Sequence, residues 1–298
     1  MIEIKVPATT ANLGSGFDAL GISLSLYNRV YFYRMEEIDA IPRFGVEFCE
    51  NKNNLIYSSA VKLFEICGKE VPRDLRIRQK RKIPSTRGLG SSSACIVAGL
   101  VGANEFLGSP MNRREILDLA AEIEGHPDNV APALLGGLVS CVYENGKVFY
   151  CKQDVSLNIK FIVIVPNFKM STSKARSGLP DVISRDDAVF NISRSSLFVA
   201  SMATQRFENL RVAVDDRIHQ AHRLKFIDGA EKIFDISYKL GAYAVYLSGS
   251  GPSIVAICSR KNTPFVIKMR RELNELGLAR WKILDLSVNN DGVVANVI

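Results

Sequence analysis

One stretch of the chain combines residue types suited to holding a phosphate. Pro84, Ser85, Thr86, Arg87, Gly88, Leu89, Gly90, Ser91, Ser92, Ser93 and Ala94 run from a glycine-rich turn through three serines into an apolar helical pattern. Gly88 and Gly90 lack a Cβ, so their backbone approaches a ligand closely and takes positive φ at little cost. The serines bring hydroxyls and unpaired amides to a helix N-terminus, where the helix dipole favours an anion. The common nucleotide loop places Lys after its last Gly, and no G-x-x-x-x-G-K-[ST] occurs in the chain. A Gly-Leu-Gly turn also caps ordinary buried helices, so the phosphate reading depends on what accompanies it.

The elements that must position this turn follow from hydrophobic periodicity. Strands are expected at 2–6, 22–33 and 44–49, a helix at 54–67, and a strand at 74–79 leading into the turn. Helices at 91–107 and 112–124 come next; Gly125 and Pro127 are read as ending the second, with His126-Pro127-Asp128-Asn129 as a loop. Runs at 138–143 and 148–150 flank Asn145-Gly146, the preferred centre of a tight hairpin. The first domain is placed at 1–157. The second, 158–298, opens on the apolar run 161–165, with helices at 187–209 and 229–240, strands at 242–247 and 253–258, a helix at 264–276 and a strand at 282–287. This β-α-β-β-α-β order is ferredoxin-like, with extra helix in its first crossover. The fold class is therefore α+β, in two domains.

Composition narrows the classes of function. A formal charge of +7 favours anionic partners without separating nucleic acid from phosphorylated metabolites. In the densest basic run, Arg73 to Lys82, residues Arg76, Arg78, Lys80 and Lys82 would share one strand face around inward Leu75 and Ile77. No aromatics interleave with these charges along the sequence, so no nucleic-acid partner is expected. The N-terminus lacks a secretory pattern and no run approaches the ~20 apolar residues of a membrane span, so a cytoplasmic chain without a membrane partner is expected. Cys49, Cys67, Cys95, Cys141, Cys151 and Cys258 are scattered, without a C-x-x-C pair, and read as reduced, buried thiols.

Three further polar, glycine-bearing segments join the phosphate turn: PATTANLGSGFD from Pro7, EGHPDNVAP from Glu124 and LSGSGPS from Leu247. Together the four segments resemble the motifs of the GHMP kinases, a family of small-molecule kinases, and the resemblance extends from Ile4 to about Val288. It implies an N-terminal domain similar to that of a ribosomal small-subunit protein, a ferredoxin-like C-terminal domain, and ATP bound between them through Pro84 to Ala94. PATTANLGSGFD and HPDNVAP, with TSKAR (Thr172, Arg176) and HQAHR (His219, Arg223), resemble the branch that phosphorylates the amino acid L-homoserine. This resemblance puts the substrate carboxylate on Arg176 and Arg223, places Asn12, Asp18, His126 and Asn129 around the amino group and reacting hydroxyl, includes Thr172 in the substrate site, and assigns Mg²⁺ to Ser92 and Glu124. The implied reaction transfers the γ-phosphoryl group of MgATP to the side-chain hydroxyl, a step of threonine biosynthesis.

The residues' own chemistry agrees. An amino acid needs a cationic clamp for its carboxylate and an acid for its ammonium, and arginine's planar fork suits the first task. Asp18 taken alone reads more readily as the cap of a helix starting at Ala19. Glu124 falls at the C-terminal end of its helix, where the dipole disfavours a carboxylate, so a nearby cation would compensate. Some relatives carry aspartate where this chain has Asn129; an amide cannot act as a base, so Asn129 is assigned an orienting role. Alternatives are a mevalonate-type or sugar kinase of the same family, and a sensor that binds without turnover. A homodimer is the assembly entertained.

Overall fold

The computed structural model describes residues 1–40, 45–49 and 51–298, except the side chains of Asp39, Ala40, Thr172 and Lys174. The first lobe begins with two long strands, β1 (Ile2–Ala11) and β2 (Leu20–Arg34). They pair antiparallel, with a register shift between Pro7 and Ala8. A proline without an N–H is tolerated in a strand at such an irregularity. A short β3 (Glu47–Phe48), helix α1 (Leu55–Ile66) and strand β4 (Leu75–Lys80) follow. In β4, Leu75, Ile77 and Gln79 are buried and alternate with more exposed Arg76, Arg78 and Lys80. Lys82 lies beyond the end of the strand. The Arg78 guanidinium lies 4.3 Å from the Phe48 ring and 5.7 Å from that of Tyr33, so aromatics absent from the local sequence arrive from neighbouring strands.

Helix α2 (Ser91–Phe106) starts at the glycine turn and is apolar nearly all round, as befits a central helix. It packs on β1, β2 and α1. Helices α3 (Arg113–Glu124) and α4 (Pro127–Leu135) complete the layer over the sheet face that carries Ile4, Val6, Val30 and Phe32. The hairpin β5 (Leu138–Glu144) and β6 (Lys147–Gln153) then pairs with the start of β2. Its turn has φ of 50° at Asn145 and 75° at Gly146.

The second lobe is a four-stranded antiparallel sheet built from β7 (Ile159–Val165), β8 (Ala242–Leu247), β9 (Ile254–Ser259) and β10 (Lys282–Leu286), in the order β10-β7-β9-β8. Its helices are α5 (Thr172–Arg176), α6 (Arg185–Thr204), α7 (Leu210–Ala213), α8 (Gln220–Leu224), α9 (Ala230–Lys239) and α10 (Phe265–Glu275). All of β7 is buried, which explains its unbroken apolar run. Phe161 and Val163 join a core shared with the first lobe, while Ile162 and Ile164 pack with Ile233 and Phe265 of α9 and α10.

Several expectations need revision. Residues 127–135 form a helix, because Pro127 sits at its first position, where a missing N–H costs nothing. The helix expected at 187–209 breaks at Gln205, whose φ is 58°. Asp18 caps no helix; β2 begins two residues later. Cys151 is exposed on β6 and Cys67 and Cys95 are half-buried, so uniform burial of the thiols does not hold. Part of the strand expected at 44–49 lies outside the described residues. After β10 the chain returns along β2, with the Ser25 N–H donating to Ser287 O, and ends as β11 (Val294–Val297) on β1. The first sheet is thus completed by the end of the chain, and the division expected at 157/158 falls between β6 and β7.

Gly102 on α2 faces Phe32 of β2 so closely that an added Cβ would overlap the ring. Gly102→Ala should therefore destabilise by about 1 to 3 kcal/mol. Urea unfolding should show a lower midpoint at unchanged slope, and an unchanged midpoint would mean the helix shifts freely.

Candidate functional site

A cavity of about 380 Å³ opens where the two lobes meet, and all four polar segments reach it. Its floor is the turn between β4 and α2. Thr86, Gly88 and Gly90 have φ of 53°, 71° and 64°. Gly90 occupies the cap position of α2 and has no side chain to bond the first-turn amides. Those donors, with the dipole behind them, suit an anion. A Cβ on Gly88 would collide with the Ser248 carbonyl, and one on Gly90 with Thr9 Oγ1. Ser85 to Ser93 line the cavity, whereas Pro84 and Ala94 do not. Ala94 is fully buried, and its N–H already donates to Gly90 O.

The turn is fastened to the second lobe by hydrogen bonds. Ser248 Oγ donates to Gly88 O, the Ser253 N–H to Arg87 O at 3.3 Å, and the Met170 N–H to Thr86 O at 3.3 Å. Arg87 Nε donates to Pro166 O at 3.0 Å.

Glu124, the last residue of α3, points its carboxylate at the start of α2. It accepts from Ser92 Oγ at 2.8 Å and from Ser93 Oγ at 2.9 Å. The conflict with its own helix dipole is thus relieved by two hydroxyls at the favourable end of a neighbouring helix. Ser93 is fully buried while Ser92 is exposed to the cavity, so the two serines are not equivalent. Just beyond, His126 Nδ1 donates to the buried Asp128 Oδ1 at 2.6 Å. Burial acts to lower the His126 pKa, but the hydrogen bond and charge of Asp128 outweigh it and raise it above the ordinary value. Asn129 Oδ1 accepts from Thr9 Oγ1 at 2.7 Å, which turns the amide nitrogen of Asn129 toward Asp128.

On the opposite wall stand the charged residues of the loop from Asn12 to Asp18 and of α5 and α8. Asn12, at φ 68°, donates from Nδ2 to Gly249 O at 3.0 Å and accepts the Asp18 N–H on Oδ1 at 3.0 Å. Both ends of its amide are spent on backbone, so it orients Asp18. Asp18 and Arg176 form a two-pronged ion pair, at 2.9 and 2.7 Å. Arg223 is only 2% exposed; its Nη1 donates to His219 Nδ1 and Gly249 O, each at 3.1 Å, and its Nε to Ala175 O at 3.3 Å. Burial, then the like charge of Arg176, lowers the Arg223 pKa to about 10, which leaves it charged at neutral pH.

His219 is fully buried, and its Nε2 donates to Gly14 O at 2.7 Å. Its Nδ1 must therefore carry the lone pair that receives Arg223, so the ring is neutral. Burial pushes its pKa down to about 4, aided by Arg223 and opposed by Asp216. The Asp216 carboxylate in turn accepts the N–H groups of His219 and Gln220 at 2.8 and 2.6 Å.

The cavity thus gathers Asn12, Asp18, Glu124, His126, Asn129, Arg176 and Arg223 with the turn. The Thr172 side chain lies outside the described residues. Sequence reasoning missed Thr9 inside the first motif, the buried Asp216, and Phe17, whose ring contacts His219, Arg176 and Arg223. Phe17 adjoins Asp18 in the first motif, which was the one available signal.

A pH dependence follows from His219. Its folded pKa lies below the ordinary 6.5, so between about 6.5 and about 4 the unfolded chain binds a proton that the folded chain does not. Stability should fall as pH falls through that window. In His219→Gln the slope of unfolding free energy against pH should be smaller there, by up to about 1.4 kcal/mol per pH unit. Urea titrations at several pH values test this; identical slopes would refute the neutral assignment.

Residues 54–137 match the profile of the GHMP kinases N terminal domain, and residues 198–279 that of the GHMP kinases C terminal. The homoserine kinase of Clostridium beijerinckii (strain ATCC 51743 / NCIMB 8052) is 48% identical over 293 residues, covering 98% of this chain and 97% of that protein. The crystal structure of homoserine kinase from Cytophaga hutchinsonii ATCC 33406 superimposes with a TM-score of 0.85 at 26% identity, covering 99% of this chain and 97% of that one. Mevalonate kinase of Methanococcus jannaschii shares the fold at a TM-score of 0.69 and 16% identity, covering 97% of this chain and 98% of that one. With its motifs gathered in one cavity and its likeness running over almost every residue, the chain belongs to the homoserine kinase family of the GHMP kinases.

Proposed function

We propose that the chain transfers the γ-phosphoryl group of ATP to the side-chain hydroxyl of L-homoserine, giving O-phospho-L-homoserine and ADP, a step of threonine biosynthesis. GHMP kinases use ATP as phosphate donor. The observation that carries the acceptor's identity is the pairing of Asp18 with Arg176 beside Arg223, in the cavity that also holds the phosphate turn. A free amino acid presents one ammonium and one carboxylate. It can exchange into the ion pair, ammonium to Asp18 and carboxylate to Arg176 and Arg223, without leaving either charge unpaired. A sugar or other uncharged acceptor could not replace the broken pair. The cytoplasm, where ATP and free amino acids meet, is the place proposed for this reaction.

The other side chains take roles their bonds permit. The first-turn amides of α2 and the Gly88 to Gly90 backbone hold phosphate oxygens. Asn129, with Oδ1 committed to Thr9 and one amide hydrogen toward Asp128, has its other amide hydrogen left to orient the acceptor hydroxyl. Asp128 is engaged by His126 and holds that ring in place. No early deprotonation of the hydroxyl is needed when transfer is loose, so positioning and charge stabilisation carry the rate. The donor set at Ser92 and Glu124 fits Mg²⁺: two hard oxygen ligands 2.8 Å apart, a carboxylate and a hydroxyl, beside the phosphate turn. When bound, Mg²⁺ would neutralise charge on the phosphates.

Two measurements test these assignments. Glu124→Gln nearly preserves shape but lacks the charge; one oxygen becomes an NH2, so one serine donates to the remaining oxygen and the other turns its hydroxyl to accept. ADP release with homoserine should collapse while thermal unfolding stays near wild type; full activity at limiting Mg²⁺ would remove Glu124 from the metal site. Arg176→Ala should raise the Michaelis constant for homoserine by the equivalent of about 1.5 to 3 kcal/mol, and that for ATP far less. On 3-amino-1-propanol, which lacks the carboxylate, wild type and variant should differ little. Equal wild-type activity on both alcohols would rule out the carboxylate clamp.

A further inference from the structure

Arg176 and Arg223 bring two like charges to one wall, and only Arg176 has a carboxylate partner in direct hydrogen-bonded contact. If a substrate ammonium takes Asp18, Arg176 loses that partner as well. The side chain that stays with both cations is Phe17. Its ring centroid lies 5.5 Å from the Arg176 guanidinium carbon and 5.1 Å from that of Arg223. The ring also stacks on His219, with centroids 5.1 Å apart and planes 26° from parallel. Phe17 is held in turn by a rigid loop: Gly16 N–H donates to Asn12 O at 2.8 Å, and Gly14 O receives His219 Nε2.

We infer that Phe17 is a positioning residue for substrate specificity, an aromatic platform that holds Arg176 and Arg223 at the spacing an α-carboxylate requires. This rests on the proposed amino-acid substrate. The physical reason for an aromatic is its charge distribution. A carboxylate here would hold the arginines but would also cancel the field that draws an anion and compete with the substrate for the same N–H groups. A ring attracts cations through its quadrupole while carrying no net charge, so it takes up none of the hydrogen-bond donors that the two forks can offer the ligand. The neutral His219, stacked on the ring and accepting from Arg223, extends the platform without adding a third positive charge. The mutual repulsion of the two arginines, which depresses the proton affinity of Arg223, is thus opposed without neutralising either.

The test compares Phe17→Leu, which keeps an apolar side chain but loses the quadrupole, with Phe17→Tyr, which retains it. In Phe17→Leu the Michaelis constant for homoserine should rise roughly five- to thirty-fold, with kcat and the ATP constant changing far less. Phe17→Tyr should restore it. Independently, the side-chain Nε–H resonances of Arg176 and Arg223, assigned through Arg176→Lys and Arg223→Lys, should lose their ring-current shift in Phe17→Leu and keep it in Phe17→Tyr. An unchanged homoserine constant in an active Phe17→Leu enzyme, or resonances that do not move, overturns the inference. A wild type that does not phosphorylate homoserine overturns the proposed substrate instead, and the resonances still decide the role of Phe17.

Discussion

The Arg223 guanidinium is a positive charge held almost wholly out of water, and much of the site is arranged around keeping it there. An isolated buried cation costs several kcal/mol even after relaxation, so its hydrogens must find acceptors. They find the Ala175 and Gly249 carbonyls and the lone pair of His219. None of these is a full negative charge, so the guanidinium keeps its attraction for an anion. The requirement spreads outward: His219 must stay neutral with its proton on Nε2, Gly14 must offer its carbonyl to that proton, and Asp216 must hold the backbone around the ring. Segments around residues 14, 175, 219 and 249 are fixed relative to one another by this one charge.

Gly249 links the arginine wall to the phosphate floor. Its carbonyl receives both Asn12 Nδ2 and Arg223 Nη1, and its N–H donates to Ala11 O at 3.0 Å. The preceding Ser248 holds Gly88 of the phosphate turn. The distance from arginines to phosphate turn is therefore set by hydrogen bonds to backbone groups, which are directional, in addition to apolar packing, which is not. Close approach at Gly88 and Gly90 serves this seam as much as it serves a ligand, since a Cβ at either would push away Ser248 or Thr9. Through Thr9, crowding at Gly90 would also disturb Asn129, so the phosphate turn and the acceptor side of the cavity are mechanically coupled.

The basic run from Arg73 to Lys82 illustrates how far charge statistics carry. Along the sequence it is a stripe of cations. In the fold Arg81 pairs with Glu47 at 2.5 Å, and Arg78 lies over Phe48 and Tyr33. Several of the partners come from strands distant in sequence, so the local run overstates the positive surface. The same limitation hid Phe17 and Asp216, whose importance lies in what they touch.

Most of the element order is legible in the sequence, because periodicity and caps are local: the alternation in β4, the Asn145-Gly146 turn, and the glycines that end α3 and begin α2 need no tertiary partner to be read. So is the set of chemical groups, since the four polar segments interrupt otherwise apolar runs and their residue types match phosphate, ammonium and carboxylate. Which groups face one another was settled by packing in three dimensions. That packing paired Asp18 with Arg176, committed Asn12 to backbone, turned Glu124 toward the start of α2, and divided Ser92 from Ser93 by burial. It also turned residues 127–135 into a helix and sent the last strand back to β1. These outcomes depend on contacts between residues far apart in the chain, such as Asn12 with Gly249, 237 positions away, and Ile2 with Val297. Such pairings depend on how whole elements pack, and no local pattern of propensity or periodicity encodes that.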